Sequence, residues 1–168
     1  MMKGRKAGNG FDLSEAPSHL IRRCQQFYGD LYAREAGAKD LTKQQFILLC
    51  ALEQNDGVSQ TALVEITGID RSTLAEMVRR MLEKGLLSRK RTEEDQRANA
   101  VAISPSGRKA LRGARNAADR AERALLEPLP MPERQKFVKA LSQIAQAAEQ
   151  LVADGGKPRR NVRRRKLS

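Results

Sequence analysis

The chain has 168 residues, a mean hydropathy of -0.60, 31% charged residues and a formal net charge of +12, a length that suits one compact domain better than two. With no Trp and only four Phe and two Tyr, the core has to come from Leu, Ala, Val, Ile and Met. One His and two Cys (Cys24 and Cys50, in no CxxC spacing) exclude a metal cluster and a disulfide framework, and no apolar run approaches the ~18 residues of a membrane span.

Charge is unevenly placed. Residues 1–10 carry three basic groups and no acids, and residues 157–168 carry seven and no acids, which leaves 22 basic against 20 acidic residues in the body. Residues 1–13, rich in Gly and Lys, are expected to be a disordered basic segment, and they lack the apolar core of a signal peptide, so a cytoplasmic location is expected. A first helix is predicted from Pro17 to Ala36, with Leu20, Cys24, Phe27 and Leu31 on one side and Gly37 ending it. The next, from Thr42, opens on a capping box (Thr42 with Gln45) and buries Phe46, Leu49, Cys50 and Leu52 before the Asn55-Asp56-Gly57 turn.

Ser59 then caps a short helix stopped at Gly68, and Asp70 caps a second helix ending at Gly85. Two short helices across a tight Gly-containing turn, the second amphipathic and Arg-bearing, form a helix-turn-helix pattern. Its apolar face is Leu74, Met77, Val78, Met81 and Leu82, where the methionines are core residues. After Gly85 the period changes to two: "SRKRTEEDQRANAVAI" (Ser88–Ile103) reads as a hairpin with a charged tip. Directly after a helix-turn-helix, such a hairpin is a wing, and an Arg at its tip suits the negative potential of a minor groove. Alone it would be an ordinary solvated hairpin. Ser104-Pro105 starts a further helix, to about Leu126, with Ala110, Leu111, Ala114, Ala117, Ala118, Ala121 and Leu125 in one stripe. "EPLPMP" interrupts, and a last helix from Glu133 to Val152 aligns Phe137, Leu141, Ile144, Ala148 and Leu151.

Residues 68–111 resemble the MarR family of bacterial transcription regulators. The matching stretches are "DRST" (Asp70–Thr73), "LEKGLLSR" (Leu82–Arg89), the wing pattern of Asp95 and Arg97, and "ISPSG" (Ile103–Gly107), with "LTKQQFILLCAL" and "VSQTAL" upstream. The resemblance implies a mainly α fold with a small β-wing (α+β): a single domain over 14–156, with a winged helix-turn-helix at about 42–103, dimerisation helices at about 17–36, 105–126 and 133–152, and a basic tail at 157–168. It also implies a homodimer on a pseudo-palindromic double-stranded operator. The apolar stripes of the first and last two helices agree, since self-association would bury them.

Within that frame Arg71, Ser72 and Thr73, at the start of the second short helix, are placed to read base edges. Arg79 and Arg80 suit phosphates or surface ion pairs. Glu76 has two readings, an acceptor for a cytosine amine or the partner of Arg80 one turn on, and the second is preferred. Ser59 and Gln60 can donate to a phosphate. Arg89, Lys90 and Arg91 flank the wing, and Asp95 can hold Arg97 at its tip. The tail at 157–168 is read as an arm following phosphates, against a merely solubilising end.

The resemblance further implies release from DNA by a small effector, an aromatic or phenolic acid or an acyl-CoA thioester. His19, Arg22, Arg23, Tyr28, Tyr32 and Phe46 are the positions that would line its pocket, against a reading in which the charges are surface and the aromatics core. An oxidant sensor working through Cys24 and a general architectural DNA binder working through its tails are the alternatives. Both cysteines are expected to be small buried apolar residues. With no nucleophile motif and no Gly-rich phosphate loop, neither an enzyme nor a cofactor is expected, and no membrane partner.

Overall fold

The computed structural model describes residues 11–37, 41–55, 57–92 and 95–153, with backbone only at 90–92, 95–99 and 151–153. In chain order these form α1 (Pro17–Glu35), α2 (Lys43–Gln54), α3 (Gln60–Thr67), α4 (Arg71–Glu83), β1 (Leu87–Thr92), β2 (Asp95–Ile103), α5 (Pro105–Leu126) and α6 (Met131–Ala153). The fold is mainly α with a small β-wing, a winged helix-turn-helix, as the sequence predicts. The expectations for residues 1–10 and for the tail at 157–168 lie outside the described residues.

Local chemistry sets most boundaries. The Thr42 hydroxyl accepts from Gln45 N while the Gln45 side chain accepts from Thr42 N, a closed capping box at α2. Ser59, Asp70 and Ser104 each accept from a backbone N–H of the first turn of α3, α4 and α5. Gly68 ends α3 in the left-handed region (φ 66), where a side chain would be strained.

The main core draws on several of these elements. Leu48, Leu49 and Leu52 of α2, Leu63 of α3, Leu74, Val78 and Met81 of α4, Val101 of β2 and Leu111 of α5 are buried together. Each such side chain contributes about 1.5–3 kcal/mol of burial. The hairpin pairs Leu87 with Ile103 and Arg89 with Val101, slips between Lys90 and Thr92, and gains a bridge from Val101 N to Val58 O. At its root the Ser104 hydroxyl donates to Gly85 O at 2.6 Å, and Ser104 N donates to Leu86 O at 3.1 Å.

A smaller cluster joins α1 to α5 through Leu31, Tyr32, Ala118 and Ala121. Ion pairs add to it: Arg120 with Glu35 of α1 at 2.5 Å, and Arg115 with Glu53 of α2. Two expectations change here. The Ala/Leu stripe of α5 is not left for a second chain, because α1 and α2 cover it. Cys24 is exposed rather than buried, because the α1 face carrying Leu20, Cys24 and Phe27 turns away from α5. Cys50 is half-buried, and burial pushes its thiol above the ordinary value.

The chain divides into two compact units at Pro128/Leu129. In the second, α6 keeps Val138, Leu141 and Ile144 exposed, with Lys136 paired to Glu133 at 3.0 Å and Arg134 Nε donating to Leu129 O.

Candidate nucleic-acid interface

The turn between α3 and α4 is short and closed by side chains. Thr67 Oγ1 donates to Leu63 O and accepts from Ile69 N, and Ile69 is buried below it. With Leu74, Met77, Val78 and Met81 turned into the core, the opposite side of α4 is left to solvent. Arg71, Ser72, Arg79 and Arg80 are exposed on that side, and Thr73 and Glu76 are partly so.

Each of these side chains has a definite setting. Asp70 Oδ1 accepts from Thr73 N at 2.9 Å and from the Ser72 hydroxyl at 2.7 Å. Hydrogen bonding by the Thr73 side chain first, then by Thr73 N and the Ser72 hydroxyl, holds its carboxyl at about 2. Arg71 Nη2 donates to Thr61 Oγ1 of α3 at 3.2 Å, which ties the first residue of α4 to the helix before it. Thr61 was not singled out from sequence, because ten positions of separation carry no local signal. Glu76 pairs with Arg80, as preferred above, and also with Arg79: Arg79 first and then Arg80 hold its carboxyl at about 2. Arg79 is in turn held above its ordinary value, mainly by Glu76.

Ser59 and Gln60 stand at the start of α3, with the Ser59 hydroxyl engaged in capping Ala62 N. Arg89 is exposed on β1. The side chains of Lys90, Arg91, Asp95 and Arg97 lie outside the described residues; the backbone at Asp95 pairs with Thr92.

A cleft of about 480 Å³ runs beside α4, lined by Thr42, Gln44 and Gln45 at the start of α2 and by Ser72, Thr73, Glu76, Met77 and Arg80 of α4. Sequence reading found Thr42 and Gln45 only as a helix cap. Their place beside α4 joins positions far apart in the chain.

A second cavity, about 260 Å³, lies among α1, α2, α3 and α5. Of the proposed effector residues it brings together Tyr28 and Phe46, alongside Ile47, Cys50, Ile66 and Glu122. Burial, followed by a hydrogen bond with Glu122, pushes the Tyr28 phenol above its ordinary value. Lys43 Nζ sits 5.7 Å from the Tyr28 ring centre. Tyr32 meets Tyr28 and Phe46 in tilted ring contacts, with ring centres 6.4 and 6.0 Å away, but it is a core residue. His19, Arg22 and Arg23 are not among the lining residues: His19 is half-exposed and both arginines are exposed on α1. Among the described residues no cluster of His, Cys, Asp or Glu is arranged to hold a metal, and no helix is long and apolar enough to cross a membrane.

The chain is similar in sequence and fold to known proteins. The MarR family model matches residues 39–98. The repressor NicR of Pseudomonas putida is 30% identical over 97 residues, which span 58% of this chain and 61% of NicR. The transcriptional regulator HosA of Escherichia coli O157:H7 is 32% identical over 120 residues, 71% of this chain and 87% of HosA. Among solved structures, Bordetella bronchiseptica BpsR, whose DNA binding is regulated by 6-hydroxynicotinic acid, superposes with a TM-score of 0.75 at 26% identity, covering 82% of this chain and 98% of BpsR.

Proposed function

The chain belongs to the MarR family of transcription regulators, and on that premise we propose that it is a homodimeric repressor that binds a pseudo-palindromic operator and leaves it when a small aromatic acid binds. As a regulator of transcription it is not an enzyme. The observation that carries the proposal is the solvent face of α4, where Arg71, Ser72 and Thr73 project from the start of a helix whose other face is core. Thr61 steadies Arg71 for that role and the Asp70 cap steadies the first turn. Dimerisation is supported by apolar residues that the chain leaves exposed, Leu20 and Phe27 on α1 and Val138 and Ile144 on α6.

For the effector we propose the cavity at Tyr28 and Phe46, an aromatic slot of a size to hold one ring. Lys43, stacked on Tyr28, is the cation that would meet the carboxylate of the acid. The effector class of BpsR, an aromatic carboxylic acid, suits that combination.

Enrichment of a random duplex pool by the full chain tests the central claim. A recovered motif with two half-sites about one helical turn apart is expected; a pool that stays random would end the reading. On the recovered duplex, Arg71→Ala and Thr73→Ala should each cost about 1–3 kcal/mol per half-site contact. A set of aromatic carboxylic acids should release the wild-type complex. Lys43→Gln should raise the concentration for half-release about tenfold, ~1.4 kcal/mol.

A further inference from the structure

The two cations furthest along the reading helix are not available in the way their exposure suggests. Arg79 grips Glu76 with two parallel bonds, Nε to Oε2 at 2.9 Å and Nη2 to Oε1 at 2.7 Å, while its Nη1 donates to Glu83 Oε1 at 2.5 Å. Arg80 Nε donates to the same Glu76 Oε1 at 2.7 Å. Glu76 thus joins both guanidinium groups, with Glu83, in a group of four charges that sums to zero, and of these Glu76 and Arg80 line the cleft together with Ser72 and Thr73.

We propose that Glu76 sets selectivity by clamping Arg79 and Arg80 along α4, withholding their charge from the phosphates of arbitrary sequence so that Arg71, Ser72 and Thr73 decide where the protein settles. The inference rests on the DNA-binding reading above and assigns Glu76 a positioning part within it. A phosphate that took Arg80 would leave Glu76 to Arg79 alone, and the remaining group of Arg79, Glu76 and Glu83, with one negative charge in excess, would lie within reach of the polyanion, where repulsion offsets the contact. Arg80 depends on Glu76 alone among the ion pairs described, whereas Arg79 keeps Glu83, so Arg80 is the charge that Glu76→Gln releases. Since non-specific affinity arises almost entirely from phosphate neutralisation, two withheld cations per protomer weaken binding to the wrong DNA more than to the right one.

The test compares the full-length wild type, Glu76→Gln, Arg80→Gln and the double variant. Each is titrated across NaCl concentrations against a mixed-sequence duplex and against a duplex enriched by the wild type. Glu76→Gln should bind the mixed duplex more tightly, with a salt slope steeper by about 0.9 per protomer, and should prefer the enriched duplex less. Arg80→Gln alone should leave the slope unchanged, and the double variant should return to the wild-type slope. Equal thermal unfolding of all four keeps folding out of the comparison. An unchanged slope for Glu76→Gln overturns the clamp, as does a slope that falls for Arg80→Gln alone. Loss of preference at a single C·G pair with the slope intact would overturn it too, making Glu76 a base reader. If the wild type binds neither duplex, the DNA-binding reading falls and the clamp with it; if the wild type binds and Glu76→Gln behaves identically, only the clamp falls.

Discussion

One oxygen of Asp70 accepts from both the Thr73 N–H and the Ser72 hydroxyl, so a single carboxylate caps α4 and orients two of its proposed readers. Because the folded protein holds that carboxyl at about 2, below the ordinary ~3.9 of an Asp, its stabilising effect is present above pH ~4 and disappears as pH falls from there through about 2. Glu76, held at about 2 by Arg79 and Arg80, contributes with the same sign over the same window. Urea midpoints followed from pH 5 down to pH 2 should therefore fall less steeply for Asp70→Asn, which keeps a capping acceptor and loses the titration, than for the wild type; parallel curves would count against the assignment. The capping residues were legible in the sequence, because a cap depends on the next three residues alone. The pairing of Glu76 with Arg80 was legible for the same reason, through helical spacing. That Arg79 makes the fuller grip was not, since the choice between i+3 and i+4 partners depends on rotamers.

At the scale of elements, the junction of wing and α5 is tightly built. A β-carbon added to Gly107 would lie 2.1 Å from Leu86 O, a backbone atom that cannot swing aside, and 3.0 Å from the Ile103 side chain. Leu86 O is also the acceptor for Ser104 N, so the position is fixed from both sides. Gly107→Ala should destabilise by about 1–3 kcal/mol or more, read from the urea midpoint, and move the hairpin relative to α4. Ser104→Ala should cost about 0.5–2 kcal/mol, losing both the cap to Gly107 N and the bond to Gly85 O. The sequence placed Ser104-Pro105 as a helix start but offered no reason for Gly107, two residues inside α5, where glycine is a poor helix former. Only the approach of Leu86 explains it.

For the molecule as a whole, the exposed apolar residues of α6 make the clearest prediction. Ile144 is 57% exposed and Val138 52%, on a helix whose length such side chains would not normally leave to water. Ile144→Asp should lower the mass seen by light scattering from dimer to monomer at micromolar concentration and weaken operator binding, since one lobe alone holds one half-site. A variant that stays dimeric would move the proposed interface off α6. The unmet face of α1 was visible in the sequence as a stripe without a partner, whereas the stripe of α5 looked the same on paper and proved to be covered by α1 and α2.

Periodicity, capping chemistry and glycine placement in the sequence were enough to determine the order of helices, the helix-turn-helix and the hairpin after it, because each depends on residues a turn or two apart. The tertiary structure alone decided which apolar stripes were already buried, that Thr61 holds Arg71, that Thr42 flanks α4, and that Tyr28 and Phe46 share a cavity while Tyr32 joins the core. Those contacts link positions far apart in the chain, and packing between elements, not local propensity, selects them.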